Sequence, residues 1–353
     1  MSRHFFFGTN TPDGFFSYLS HIAQAGERTI CLKGASGCGK STFMRRTAAA
    51  FEARGCKTEY FFCSNDPGSL DGIRVPEAGL CVTDGTAPHV QDPALPAARD
   101  SIFDMAAFID PHVVRTHANE LLRLAQLKKQ YYVQACGYIK AACAIDRVNA
   151  GLYAQRLRPG RLNMAIREIL PLLEDAAQPG GSGHDRRLFA GALTSAGLVS
   201  TLDTLTSLRT IYILRGEPGT GTDFFLEQLR GAANLRGLNT ESLCSPLEPE
   251  KIEHLIIPGL DLGFFTQSEL RAAAFPAHAR VIDFFDFLDE RPAADQVLLT
   301  DGNALFLELT NRAAAALAMQ RDAHERIEKI YIAGMDFARL DEACEKIIAE
   351  LLG

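Results

Sequence analysis

Between positions 34 and 42 the chain reads Gly34-Ala35-Ser36-Gly37-Cys38-Gly39-Lys40-Ser41-Thr42. Gly34, Gly39, Lys40 and Ser41 carry the spacing of a phosphate-binding loop. Glycines let the backbone turn around an anion with its N–H groups pointing inward. A helix that starts at the end of the loop adds the positive end of its dipole. Lys40 is expected to reach the β and γ phosphates of a nucleoside triphosphate, and the Ser41 hydroxyl to ligate Mg2+. The nine residues of the loop are thus the expected binding site for ATP with Mg2+; no base-reading motif separates ATP from GTP.

Magnesium in such a site also needs a carboxylate at the end of a neighbouring strand. The apolar run Leu80-Cys81-Val82-Thr83 ends in Asp84, which becomes the expected second metal contact. Asp66 and Asp71, in Asn65-Asp66-Pro67-Gly68-Ser69-Leu70-Asp71, are candidates for a base or a further metal contact. The expected catalytic set is therefore Lys40, Asp84, Asp71 and Asp66. His89 follows in Asp84-Gly85-Thr86-Ala87-Pro88-His89, a loop position suited to positioning a substrate or to simple solvation. Cys38 lies beside a helix N-terminus, a location that lowers a thiol pKa, although a small tolerated residue is the simpler reading.

The loop occurs twice. Gly216-Glu217-Pro218-Gly219-Thr220-Gly221-Thr222-Asp223 lies 182 residues further on, counted from Gly34 to Gly216. At the same offset Gly55-Cys56-Lys57-Thr58-Glu59 falls on Gly237-Leu238-Asn239-Thr240-Glu241, and Val75-Pro76 falls on Ile257-Pro258. Thr222 stands where the lysine belongs and Asp223 where the hydroxyl belongs. A unit-charge pair at ~4 Å is worth about 4 kcal/mol at an effective dielectric of about 20. A third of that on each change is on the order of a hundredfold in affinity. The run Leu262-Gly263-Phe264-Phe265-Thr266 also lacks a counterpart of Asp84. The second copy is expected to keep the fold and lose triphosphate binding. Arg215, and the set Arg156, Arg158 and Arg161, are candidate arginines for reaching the first site from elsewhere, with surface solvation the ordinary alternative.

The elements needed to hold these loops follow the same plan in both halves. A short apolar run (29–33; 210–215) enters the glycine loop and a helix follows. Further apolar runs come at 59–63 and 80–83, and at 242–244 and 262–266. Strands alternating with helices predict an α/β fold with parallel sheets flanked by helices, two tandem P-loop domains in all. Gln178-Pro179-Gly180-Gly181-Ser182-Gly183 reads as a linker, which divides the chain into 1–180 and 184–353. Helix-period leucines and isoleucines predict a helical insertion or lid over about 111–175, and helices near 303–322 and 340–352. Hydrophobic residues at 47% and a net charge of −7 fit a soluble globular protein and give no strong nucleic-acid signal. No run is long enough for a membrane span. The nine cysteines are irregularly spaced with no CxxC, which favours free thiols and a cytoplasmic setting over a zinc site.

Taken together, these motifs resemble an uncharacterised bacterial family of tandem P-loop ATPase-like proteins. The likeness runs through His4-Phe5-Phe6 and Gly8, the first loop, Cys63-Ser64-Asn65-Asp66, Ser69-Leu70-Asp71-Gly72 and Asp84-Gly85-Thr86-Ala87-Pro88-His89. It continues in the second loop, in Pro249-Glu250-Lys251-Ile252-Glu253, and in Tyr331-Ile332 with Met335-Asp336-Phe337. It implies a duplicated P-loop fold and nucleotide binding, without a substrate. Two positions depart from the family pattern: Thr222-Asp223 replaces a Lys-Ser pair, and Phe62 stands where a histidine precedes Cys63.

The expected function is ATP hydrolysis at the first loop, the second half being a regulatory or structural copy. The alternatives are a nucleotide or small-molecule kinase and a nucleotide-dependent switch or scaffold with little turnover. No Leu-Ser-Gly-Gly-Gln signature is present, which disfavours a transporter ATPase, and no basic tail suggests a helicase-like motor. Lys40→Ala is expected to abolish triphosphate binding and Thr222→Ala to leave it unchanged, measured by calorimetric titration of the purified chain. Equal effects would sink the one-working-loop reading.

Overall fold

Burial alternates along the strands that follow and precede the glycine loops, and this alternation explains how two sheets meet. Leu80 and Val82 belong to one apolar cluster and Cys81, between them, to another; Tyr212 and Leu214 likewise face away from Ile211 and Ile213. Both faces of each sheet are therefore buried. The computed structural model of the protein describes residues 2–174, 181–268, 274–290 and 293–353. The proposed linker residues Gln178, Pro179 and Gly180, and the end of the helical segment at Asp175, lie outside the described residues.

The first half comprises β1 (Arg3–Phe5), β2 (Gly8–Thr11), β3 (Gly14–Ser17), β4 (Arg28–Lys33), α1 (Lys40–Glu52), β5 (Glu59–Phe62), β6 (Leu70–Val75), β7 (Leu80–Asp84) and β8 (Ser101–Asp104). Four helices follow: α2 (Pro111–Thr116), α3 (Ala118–Ala154), α4 (Pro159–Ile169) and α5 (Pro171–Glu174). The second half repeats the order with β9 (Asp185–Leu188), β10 (Gly191–Thr194), β11 (Gly197–Ser200), β12 (Thr210–Arg215), α6 (Thr222–Leu235), β13 (Thr240–Cys244), β14 (Ile252–Ile257), β15 (Leu262–Gln267) and β16 (Arg280–Asp283). It ends in α7 (Ala293–Ala333) and α8 (Phe337–Leu352). The six-stranded sheets have the orders β1-β5-β6-β7-β4-β8 and β9-β13-β14-β15-β12-β16, position for position the same. The duplication expected from the sequence is present throughout the fold.

The sheets are not wholly parallel. Five strands of each run one way, while β6 and β14 run against their neighbours on both sides. The cause is the connection at Val75-Pro76 and Ile257-Pro258. A single short turn of 3-10 helix joins β6 to β7 and β14 to β15, and a parallel pairing needs a crossover of a dozen or more residues. β6 escaped notice in the sequence because all six of its residues are buried, Asp71 and Arg74 included, so no alternation marks it.

One face of each sheet carries helices and the other carries the opposite sheet. Phe5, Phe7, Phe61 and Cys81 of the first half pack with Leu188, Ile211, Leu243 and Phe265 of the second. The backbone bridges the two halves where Phe6 and Phe189 exchange N–H···O bonds at 2.9 Å in both directions.

The helices are exchanged between the halves. α3 starts beside the first glycine loop and runs to the second. There α4 packs Leu162, Ile166 and Ile169 against Phe225 and Leu229 of α6. α7 runs back antiparallel to α3, and α8 packs Leu340 and Cys344 against Phe43 and Met44 of α1. The crossovers match: Arg158 donates its N–H to Phe287 O at 2.9 Å, and Asp336 donates its N–H to Phe108 O at 2.9 Å.

Glu59, Glu241 and Arg186, all buried, meet the half-buried Arg3 where the first strands of the two sheets come together. Arg186 of the second half bonds Glu59 of the first at 2.7 Å, and Arg3 of the first bonds Glu241 of the second. Arg74 adds a 3.0 Å bond to Glu59 and joins Glu27 at 2.7 Å. Burial alone would raise the Glu59 pKa, but Arg186, Arg3 and Arg74 outweigh it and hold the carboxyl near about 2. Because its folded pKa is depressed, Glu59 contributes stability that is complete above its ordinary 4.5 and is lost as pH falls toward about 2. Glu59→Gln is expected to cost about 3–5 kcal/mol at pH 7 and to flatten the loss of stability between pH ~4.5 and pH ~2. Denaturant unfolding followed by circular dichroism across that range checks both.

Candidate functional site

The glycine loop leaves the C-terminal end of β4 and closes on the first turn of α1. Gly39 takes the N-cap position with φ +88°, a left-handed conformation that suits glycine, and no side chain caps the helix. Among the described residues the amide N–H groups of Gly39, Lys40, Ser41 and Thr42 have no backbone acceptor. A row of donors without backbone acceptors at a helix start can take an anion. Lys40 Nζ donates to Gly34 O and Ala35 O, each at 2.9 Å, and lies 3.5 Å from Asp84 Oδ2. Ser41 Oγ accepts the Leu70 N–H at 3.1 Å.

The reversed strand β6 brings the second carboxylate. Gly72 pairs with Thr83, so Asp71 and Asp84 lie one step beyond that pair at the same edge of the sheet. Asp84 accepts from the Thr86 N–H at 2.9 Å and from the Thr86 hydroxyl. Asp71 Oδ2 is 3.2 Å from His89 Nε2, and both residues are buried. Burial alone would lower the His89 pKa; the hydrogen bond and charge of Asp71, with Asp84 behind it, raise it instead. His89 Nδ1 has no partner, and the ring lies edge-on to Phe7 and Phe15. Asp66 sits further out and pairs with Arg321 at 3.1 Å.

These groups line one cavity of about 780 Å³ together with residues from both long helices. Lys128 of α3 and Gln320, Arg321, His324, Glu328 and Tyr331 of α7 form the wall opposite the loop. None of them was expected from the sequence. They are polar residues on long helices, and only the exchange of α7 into the first half sets them against the loop. His324 touches Ser36 Oγ at 3.1 Å through Nε2 and Lys128 Nζ at 2.9 Å through Nδ1. Lysine has only protons to donate, so Nδ1 accepts and Nε2–H donates to Ser36. Burial first, then the charges of Lys128 and Lys40, push His324 down to about 4. Glu328 is shifted the other way, raised by burial and by Asp66 and Glu325.

The arginines considered from the sequence lie elsewhere. Arg156 pairs with Asp295 at 3.0 Å, Arg158 with Asp289, and Arg215 with Asp283, while Arg161 donates to Asp286 O at 2.7 Å. All four of these contacts are made with the second half, and none of the four arginines lines the cavity. Cys38 also differs from one of its readings. It is fully buried, and burial pushes its thiol pKa up despite Lys40 beside it. All nine cysteines are free.

At the second loop the covering helix sits closer. A Cβ on Gly219 would lie 2.1 Å from Ala150 O of α3, whereas one on Gly37 would lie 3.1 Å from Glu328 O of α7. Thr220 and Thr222 are buried, and Leu157 and Leu162 press on Gly221.

Ser41 keeps a lone pair beyond the bond from Leu70, and Asp84 offers Oδ2 across from it. Magnesium binds through one or two protein oxygens and otherwise through phosphates and water, so this pair fits. Among the described residues no cluster of three His, Cys, Asp or Glu side chains forms a metal cage, and no helix is long and apolar enough to cross a membrane. Comparison of the chain with protein-family models, curated proteins and solved structures returned no match.

His324 is expected to stay neutral from pH 8 to pH 5 in the NMR spectrum of the intact chain, and Lys128→Met to raise its midpoint. A wild-type midpoint at the ordinary 6.5 would contradict the wall geometry.

Proposed function

We propose that the protein binds ATP with Mg2+ at residues 34–42 and hydrolyses it there, the second half serving as a degenerate copy that completes the site. The observation that carries this reading is the meeting of amides without backbone acceptors at the start of α1, Lys40 and Asp84 in a single cavity large enough for a nucleotide. At the second loop α3 backbone packs directly on Gly219 instead.

Lys40 is parked on the loop's own carbonyls, and phosphate oxygens are better acceptors for its ammonium. On this reading Lys40 turns to the β and γ phosphates and Asp84 is released from it. Ser41 and Asp84 hold Mg2+, which when bound neutralises charge on the β and γ oxygens. Glu328 lines the cavity beside the loop, and its carboxylate can orient the attacking water. Arg321 and Lys128 supply positive charge from the opposite wall.

A second reading, transfer of the γ-phosphoryl group to a small acceptor, is favoured by the buried His89–Asp71 pair. It lines the same cavity beyond Asp84, as a general base for an acceptor hydroxyl would. Phosphate release from Mg-ATP by the intact protein, with and without a pool of nucleotides and sugars, decides between them. Release that needs no acceptor and disappears in Lys40→Ala supports hydrolysis; ATP loss without phosphate release, dependent on one acceptor, supports transfer. No ATP loss under either condition would count against both and leave a switch.

A further inference from the structure

Every cation in the cavity but one has a carboxylate. Lys40 has Asp84, and Arg321 has Asp66 and Glu325. Lys128 Nζ has the imidazole of His324 at 2.9 Å and, among the described residues, no ion pair. It is half-buried at the cavity wall. Desolvation lowers its pKa; the Glu328 carboxylate works the other way without touching it and does not undo the shift, and the neutral His324 cancels none of the charge. An ammonium drawn partly out of water with no carboxylate in contact is poorly compensated. Lining a cavity whose opposite wall is a row of anion-binding amides, it is placed for an anion that is held by both walls.

We propose that Lys128 is a catalytic residue that receives the terminal phosphate of the bound triphosphate. This rests on the ATP reading above. The ammonium exchanges the neutral Nδ1 of His324 for a γ-phosphate oxygen. It stays there while a water oxygen bonds to the γ-phosphorus and the bond to the bridging oxygen breaks. The electron pair of that bond leaves with ADP; one water proton passes to solvent and the other stays on the released phosphate. Lys128 remains protonated throughout and acts by its charge, as an arginine finger does.

The second half supplies an independent observation. The matching crossovers place Leu157 on Met335, an offset of 178 residues. The same offset places Ala150 on Glu328, and these two carbonyls are the ones that meet Gly219 and Gly37. Carried along the helices, it puts Phe306 at the place of Lys128, Asp146 at that of His324 and Cys143 at that of Arg321. The copy whose loop has Thr222 for lysine has thus also lost the cation on the facing helix.

The test uses the intact chain with Mg2+. Calorimetry gives the affinities for ATP and for ADP, and phosphate release gives turnover. Lys128→Met is expected to bring ATP affinity down to that of ADP, to leave ADP affinity unchanged and to lower turnover by about a hundredfold or more. Lys128→Arg, which keeps the charge, is expected to retain the ATP preference. Lys128→Gln provides the neutral variant should methionine disturb the helix pair. An ATP-to-ADP ratio and turnover unchanged in both neutral variants would overturn the role of Lys128 and leave the ATP reading standing. Wild-type protein that fails to bind ATP would overturn both.

Discussion

Arg3, Glu59, Arg186 and Glu241 are reciprocal: each arginine ends on the glutamate of the opposite half as well as lying near its own. Buried charges tolerate no slippage, because a displaced partner leaves a naked charge in a low-dielectric interior. The quartet therefore fixes the two sheets in one register. With the sheets locked through Phe5, Phe61, Leu243 and Phe265, the outer faces are all that remains for helices. Those faces are where α1 and α6 lie, and each needs a second helix beside it.

The second helix always comes from the other half. α3 and α7 bridge the two glycine loops side by side, and the span from Lys128 to Ala150 corresponds to about 33 Å of helix. This arrangement makes the first site composite. The loop, Lys40, Asp71 and Asp84 belong to one half, and Arg321, His324 and Glu328 to the other. It also ties the second half to the first: without the second sheet the helix α7 has no anchor, and without α7 the cavity has no far wall.

What the sequence disclosed and what it hid follow from the range of the interactions. The loop and the strand before it are local, so spacing alone located them at the C-terminal end of β4. Duplication was visible because one register holds over long stretches. The reversed β6 was hidden because a fully buried strand with Asp71 and Arg74 in it has no periodic signature. Lys128, Arg321 and His324 were hidden for a different reason. Each is an ordinary polar residue on a long helix, and its significance depends on where a distant part of the chain carries that helix. Arg156, Arg158 and Arg161 were carried away from the first loop by the same exchange, and Arg215 stays on its own strand with Asp283.

The exchange also bears on synthesis. Leu340 and Cys344 cover Phe43 and Met44 of α1, yet they lie at the far end of the chain from it. A growing polypeptide ordinarily completes its first domain while the next is being made. Here the face of α1 and the mouth of the first loop stay open to solvent until the last helix emerges. A ribosome that stops early releases an N-terminal half with its apolar flank bare and its glycine loop unroofed, a species for chaperones and proteases rather than a smaller version of the same fold.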